Sequence, residues 1–502
     1  MEQEENHEKG PRWSWERIQM GNINLILIFT APSGYFRSML RHRIFGVRFW
    51  LNLLSVGVIS IAGTGSARAA AAVYPVKVSA NNRYLVDQNN APFLIMGDCP
   101  QSLTVNLSVA QTDSYFSNRQ AHGFNTMWIN LVCTVYTGGR PDGSTFDGIL
   151  PFTGYFPGGH HLSHFDLSRP NESFFARCDQ MIGLAAKYNL VVFLNPIETG
   201  GWLTNMVNNG PKACYDYGKY LWNRYRHFDN IVWMSGNDYE GWRDSRNDAA
   251  VTAVAKGIQA TDTRHIHTAE LGGSFGLSTD DPQWASLVSL NAAYTYFPTY
   301  AKVLTGYNRA STMPVFLVEA CYDYESLGQE RMATPSSLRR EEYWADLSGA
   351  TGLIYGNHYT WTFAQGWESH IDTPGAAQIA NLKAFFESRA WCDLVPDQAH
   401  TTLTAGYGTF ASKGTVDGND YATAARTQDG RLAIIYAPTI RPLTIDMTRL
   451  SGPVTARWFD PANATYSAIE GSPFSNTGSR SFTPPGNNHD GDGDWVLVLE
   501  VN

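Results

Sequence analysis

Eight short apolar runs recur between residues 92 and 358, each separated from the next by a polar or amphipathic stretch. They are PFLIMGD (92–98), NTMWINLV (125–132), LVVFLNPI (190–197), NIVWMSGND (230–238), HIHTAEL (265–271), LVSLNAAY (287–294), PVFLVEA (314–320) and ATGLIYGNH (350–358). A strand with one wet face alternates apolar with polar residues, whereas a strand covered on both faces does not, and these runs barely alternate. The intervening stretches 172–188, 212–228 and 335–348 carry the spacing of amphipathic helices. Eight doubly covered strands alternating with helices predict an α/β chain folded as a (β/α)8 TIM barrel. The rival is a doubly wound open sheet. That fold brings a G-x-G-x-x-G turn after its first strand, and PFLIMGD is not followed by one.

The flanks read differently. Residues 73–98 form a predicted β-hairpin region with turns at Asn81-Asn82 and Asn89-Asn90. Beyond a helical stretch at 376–389, residues 405–502 show only short strand segments such as RLAIIYAP and DWVLVLEV, which predict a C-terminal antiparallel β-sandwich. At the other end, Arg41, Arg43 and Arg48 precede the apolar run Phe49 to Ala62, followed by small residues and Ala67-Arg68-Ala69. Basic, apolar and small regions in that order describe a secretory signal peptide, too short for the roughly 20 residues of a membrane span. Cleavage is expected near Ala69, giving a secreted or periplasmic chain with no stable membrane insertion afterwards. Met39 stands just before the basic stretch, so residues 1–38 read as an over-extended start. The expected division is a leader at 1–72, a catalytic barrel at 73–400 and a sandwich at 401–502.

Composition narrows the class. With 43% hydrophobic and only 17% charged residues the chain has ample apolar surface to bury, which excludes intrinsic disorder. A net charge of −9 without a basic stripe argues against a nucleic-acid partner. The six cysteines include no C-x-x-C pair, so no zinc ribbon or redox motif is indicated; disulfides and free buried thiols both remain open.

A barrel carries its chemistry at the C-terminal ends of its strands. The runs end in Asp98, Asn130, Asn195 with Glu198, Asn237 with Asp238, Glu270, Tyr294 with Tyr296, Glu319, and Asn357 with His358. Aromatic residues follow closely, among them Trp202, Tyr322 and Trp361. A rim of acids and amides walled by flat rings suits a sugar, whose hydroxyls need hydrogen bonds and whose C–H faces stack on aromatics. Asp238 and Glu319 are the candidate catalytic pair. Each closes a strongly apolar run, where a lone buried carboxylate costs several kcal/mol unless paired or functional. Two carboxyls can cleave a glycosidic bond, one donating a proton to the leaving oxygen while the other attacks the anomeric carbon or activates water. Asp98, Asn130, Asn195, Glu198, Trp202, Asn237, Glu270, Tyr294, Tyr296, Tyr322, His358 and Trp361 are the candidate substrate-binding residues. No metal or cofactor is implied. A polysaccharide or oligosaccharide is the expected partner, and the alternative is a non-catalytic carbohydrate- or matrix-binding protein on the same scaffold.

Three other motifs carry less. Residues 272–276 (GGSFG) match a nucleophile elbow, but LSTDDPQW is a poor start for the helix that motif requires. His160, His161 and His164 lack a ligand spacing. Asp490, Asp492 and Asp494 imitate the opening of a calcium loop, yet Trp495 stands where such a loop needs Gly and Val501 where it takes Glu, so the segment reads as a turn before the last strand.

An Asn-acid pair ending the fourth run and a Glu ending the seventh resemble the large clan of retaining barrel glycosidases, although that clan usually places Glu where Asp238 stands. A closer resemblance is to the apiosidase-like catalytic domains of glycoside hydrolase family 140, followed by a module named the collagen-binding domain of a collagenase. RYLVDQNNAPFLIMGD (83–98), HGFNTMWINLV (122–132), NIVWMSGND (230–238) and PVFLVEACYDYE (314–325) carry it, with ARWFDPANATY (456–466), FTPPG (482–486) and DWVLVLE (494–500) in the tail. The resemblance implies a secreted hydrolase of a complex, plant-type polysaccharide. It also implies Asp238 as general acid/base, Glu319 as nucleophile and Asn237 as a contact to the sugar 2-hydroxyl. Asp98-Cys99-Pro100 departs from the Asp-Thr-x-Trp of relatives. The Gly- and aromatic-rich loop 133–171 is expected to shape specificity.

Overall fold

A computed structural model describes residues 18–20, 23–25 and 71–501, except 156–161, 273–275 and 326–331. Residues 1–68 form one unit, in which Ile18–Met20 pairs antiparallel with Ile23–Leu25. The expected leader falls almost wholly outside the described residues, as do His160, His161 and Ser274. The second unit spans residues 69–502.

In that unit every apolar run becomes a strand. These are β1 (Ile95–Asp98), β2 (Thr126–Asn130), β3 (Val191–Asn195), β4 (Ile231–Ser235), β5 (His267–Ala269), β6 (Asn291–Tyr294), β7 (Val315–Glu319) and β8 (Ala350–Tyr355). Hydrogen-bonded neighbours run β5-β4-β3-β2-β1-β8-β7-β6, and all are parallel. Single links bridge the remaining seam. Ser289 N–H donates to the His267 carbonyl at 2.9 Å. The Ser278 hydroxyl donates to the Ala269 carbonyl at 2.5 Å and accepts from Ala292 N–H at 2.8 Å. The missing alternation has a simple cause. On β3, Val191 and Phe193 pack inside the ring, while Val192 and Leu194 pack outward against the helices, and all four are fully buried.

The outer layer is α1 (Val109–Ala121), α2 (Glu172–Lys187), α3 (Thr199–Tyr225), α4 (Ser245–Gln259), the single turn α5 (Pro282–Ala285), α6 (Thr299–Tyr307), α7 (Pro335–Leu347) and α8 (Pro374–Glu387). Ser108, Thr334 and Thr373 cap α1, α7 and α8 with their side chains, and Pro opens α7 and α8 where its missing N–H is harmless. α3 begins well before the predicted stretch at 212. It breaks at Gly210, φ 74° and ψ 166°, ahead of Pro211, so only its second half was periodic enough to read. No helix among the described residues is long and apolar enough to cross a membrane.

Three short strands, Lys77–Val78, Leu85–Val86 and Pro92–Phe93, form an antiparallel sheet turning through left-handed Asn82 and Asn90. Leu85 and Phe93 extend the core inside the ring. At the C-terminus lie β9 (Leu394–Pro396), β10 (Leu403–Ala405), β11 (Thr423–Thr427), β12 (Leu432–Ala437), β13 (Leu443–Asp446), β14 (Val454–Asp460), β15 (Thr465–Ala468), β16 (Ser479–Phe482) and β17 (Trp495–Val501). They build two antiparallel sheets, β9-β11-β12-β17-β14-β15 and β10-β13-β16. All six cysteines are unpaired, and all but Cys392 are buried.

α7 corrects its expected amphipathic character. Every residue from Ser337 to Leu347 is buried, including Arg339, Arg340, Glu341, Glu342 and Asp346. The C-terminal sheets cover the face that charge alone would assign to water. Arg339 donates to Asp494 at 2.8 and 3.0 Å and to Asp492 at 2.8 Å, with Asp490 at 3.5 Å. The Asp490-Asp492-Asp494 rhythm therefore serves as a clamp on a buried arginine.

Candidate active site

The end of β4 is built under backbone strain. Gly236, Asn237 and Asp238 all have positive φ, at 113°, 77° and 50°. For the two non-glycine residues this costs of order 1–3 kcal/mol each, and such strain persists only where the surroundings enforce it. A Cβ on Gly236 would sit 2.2 Å from the Glu270 carbonyl oxygen, so only glycine fits. The Thr199 hydroxyl bonds the Gly236 and Asn237 carbonyls at 2.9 Å each, and Asp238 N–H donates to Glu270 Oε2 at 2.9 Å. This turn leaves Asp238 part-exposed at the mouth. There its Oδ2 accepts from the Tyr136 hydroxyl at 2.7 Å.

Glu319 closes β7 across the mouth and is 5% exposed. Tyr296 donates to its Oε1 at 2.5 Å and Tyr322 to its Oε2 at 2.9 Å. Burial, then the Asp238 charge, pushes the Glu319 carboxyl up to about 8 against the opposing effect of the tyrosines. Glu270, just after β5, is fully buried, and burial followed by the charges of Glu319 and Asp238 holds it well above the usual carboxylate range. Asp238, Glu319, Asn237, Tyr296, Tyr322, Trp361, Gln101, Tyr136 and Glu325 line one cavity of about 250 Å³, and no lysine or arginine is among them. Behind it a relay of amides crosses the mouth. Asn195 donates to Asn130 at 3.0 Å, Asn130 to Asn237 at 2.8 Å, Asn237 to Gln101 at 3.4 Å, and Gln101 to Tyr322 at 3.3 Å. Two facing carboxyls, one part-exposed and one buried in phenols, suit proton donation beside nucleophilic attack or water activation.

Comparison with known proteins decides the family. The profile described as "Apiosidase-like, catalytic domain" matches residues 79–393. The chain belongs to the apiosidase-like family. It is therefore read as a glycoside hydrolase with a carbohydrate substrate. A second profile, "Putative collagen-binding domain of a collagenase", matches residues 410–500. Among solved structures, one titled "Glycoside hydrolase" is 22% identical with a TM-score of 0.71, covering 85% of this chain and 96% of its own. A family 5 glycoside hydrolase from Bacteroides vulgatus ATCC 8482 is 21% identical with a TM-score of 0.71, covering 85% and 93%. At such identity the likeness is one of fold. No curated protein matches the chain.

Within this apiosidase-like barrel the expected site residues part into three groups. Asp238, Glu319, Asn237, Tyr296, Tyr322 and Trp361 face the cavity together. Asn130, Asn195, Glu270 and Tyr294 stand directly behind it, Tyr294 through its hydroxyl to Tyr296 at 3.3 Å, and His358 sits on the rim 3.0 Å from Glu325. The remaining three do not face it, which corrects their expected place in substrate binding. Asp98 shares the outward face of β1 with Met96, and it accepts from Tyr115 at 2.5 Å and pairs with buried Arg119 at 3.5 Å. Glu198 is enclosed, accepting from the Thr134 N–H and hydroxyl at 2.5 Å each and from the Thr137 hydroxyl; burial pushes it up to about 7. Trp202 is fully buried against Phe152 and Phe165. Gln101, Tyr136 and Glu325 escaped sequence reasoning because they sit in loops beyond the strand ends. Glu325 nonetheless ends the segment PVFLVEACYDYE (314–325) that carries the family resemblance, and Tyr136 lies in the loop expected to shape specificity.

Proposed function

We propose that this glycoside hydrolase cleaves a complex, plant-type polysaccharide with retention of configuration, Asp238 acting as general acid/base and Glu319 as nucleophile. The observation that carries the reading is that these two side chains, from the ends of β4 and β7, line one small cavity with no lysine or arginine among its described lining residues. Protonated Asp238 gives its proton to the glycosidic oxygen as the Glu319 carboxylate attacks the anomeric carbon. The bond to the leaving group breaks and a glycosyl ester forms. The Asp238 carboxylate then takes a proton from water, which hydrolyses the ester. Tyr296 and Tyr322 stabilise the Glu319 anion by donating to both oxygens. Part-exposure lets Asp238 meet the leaving group and then water. Asn237, beside Asp238 on the cavity wall, is placed to bond a sugar hydroxyl, and Trp361 offers a flat ring for stacking.

The apiose link rests on family membership, so apiose-containing glycans head the panel that tests it, alongside other plant polysaccharides. Reducing-end release by the wild type is expected on at least one, with the retained anomer formed first by proton NMR. Glu319→Gln and Asp238→Asn should each lose about 100-fold or more in kcat. Binding without release by the wild type would favour the non-catalytic reading instead. We further propose export, supported by the basic, apolar and small-residue order of residues 41–69. N-terminal sequencing of the mature chain is expected to begin just after Ala69, and an intact leader would contradict it.

A further inference from the structure

Glu270 has no part in the two-carboxylate chemistry, yet its surroundings are those of a functional group. It follows β5, is fully buried, and accepts the Asp238 N–H on Oε2 at 2.9 Å. Its Oε1 is sealed from solvent and, among the described residues, meets no hydrogen-bond donor. Glu319 stands within hydrogen-bonding reach of the same side chain, and the charge of Asp238 bears on it as well. Tyr136 and Tyr294, from the other elements around it, also feel the Glu270 charge. Among the described residues, the groups acting on Glu270 are acids, phenols and one backbone amide. Three anions cannot share such a space, because like charges and burial both favour the neutral acid. A neutral carboxyl accepts on one oxygen and donates from the other. That pattern matches what surrounds Glu270, with an N–H facing Oε2, a second oxygen sealed from solvent without a donor, and the Glu319 carboxyl within reach of the side chain.

We infer that Glu270 is a positioning residue that works as a neutral carboxyl. Through Oε2 it fixes the left-handed turn presenting Asp238, and through a proton on Oε1 it donates to Glu319 and keeps that group ionised for attack. The inference rests on the reading of Asp238 and Glu319 as the catalytic pair. It assigns the β5 acid a task distinct from theirs, coupling the two across the mouth from behind.

Three variants of the full chain separate the roles. Glu270→Leu removes both hydrogen bonds and is expected to lose about 100-fold in kcat with KM little changed. In that variant the acid limb of kcat/KM should move up by about one pH unit, because Glu319 loses a donor. Glu270→Gln keeps an acceptor and an N–H donor without any ionisation, and is expected to recover most of the loss. Glu270→Asp keeps the ionisation but not the reach, and should be less active than the Gln variant. A Gln variant as inactive as Glu319→Gln, or an Asp variant above Gln, would overturn the proposal by showing that an ionised Glu270 is required. So would a Leu variant with wild-type kcat and pH profile. If the Leu variant does not fold, the order of Gln and Asp still decides. Asp238→Asn and Glu319→Gln are assayed in parallel, since retained turnover in those two would fault the catalytic pair itself rather than Glu270.

Discussion

Two trios of carboxylates sit at opposite ends of the same chemistry. Asp490, Asp492 and Asp494 gather around one guanidinium, that of buried Arg339, and their charges are answered on the spot. Among the described residues no cation pairs with Asp238, Glu270 or Glu319, which are held instead by phenols and a backbone N–H. The first arrangement locks a helix of the barrel to the C-terminal sheets and leaves the acids inert. The second leaves charge unanswered, lifts proton affinity and keeps the site reactive. An acid cluster is thus a joint or a reaction centre according to whether a cation stands in it.

Breaking the two trios should give opposite signatures. The largest effect belongs to Glu319→Gln, which is expected to lose about 100-fold or more in kcat. Its thermal midpoint at pH 8 should match or exceed that of the wild type, because a buried carboxyl is replaced by a neutral amide. Arg339→Met should do the reverse. It leaves buried Asp494 without its cation, along with the more exposed Asp490 and Asp492, and costs about 3–5 kcal/mol in denaturant unfolding, while kcat per folded molecule holds.

Two smaller effects sharpen the contrast through pH. Glu342 is pushed up to about 8 and Glu198 to about 7, in each case with burial as the first cause. Their folded values lie above an unfolded value of about 4.3, so the stability they confer is complete below that pH and is lost as pH rises toward 8. Denaturant midpoints should therefore fall between pH 5 and pH 8, and Glu342→Gln should flatten the slope without touching the mouth. The least effect is kinetic. Asp238→Asn removes a charge that raises Glu319, so with an activated aryl glycoside its acid limb should shift to lower pH than in the wild type.

Much of this was legible in the sequence, for physical reasons. A strand buried on both faces leaves an unbroken apolar run, so all eight strands could be read from their letters. A carboxylate ending such a run is conspicuous, so Asp238 and Glu319 stood out. Asp98 misled because a strand end points in or out by parity. With Ile95 inside the ring, Asp98 falls on the helix side with Met96. Arg339 misled because its partners lie more than a hundred residues further along the chain, and no local pattern reveals a charged helix face that a later domain will cover. Gln101 and Tyr136 lie in loops, where no periodicity tells which side chain turns toward the cavity.

The central claim is that Glu319 forms a covalent bond to the sugar. Its most direct test is to treat the Asp238→Asn variant with an activated 2-deoxy-2-fluoro glycoside of a sugar the wild type releases, then digest it and map the peptides by mass spectrometry. One added glycosyl mass on the peptide carrying Glu319 is predicted. The same mass on the Glu270 peptide, or steady turnover with no adduct on any peptide, would contradict the account.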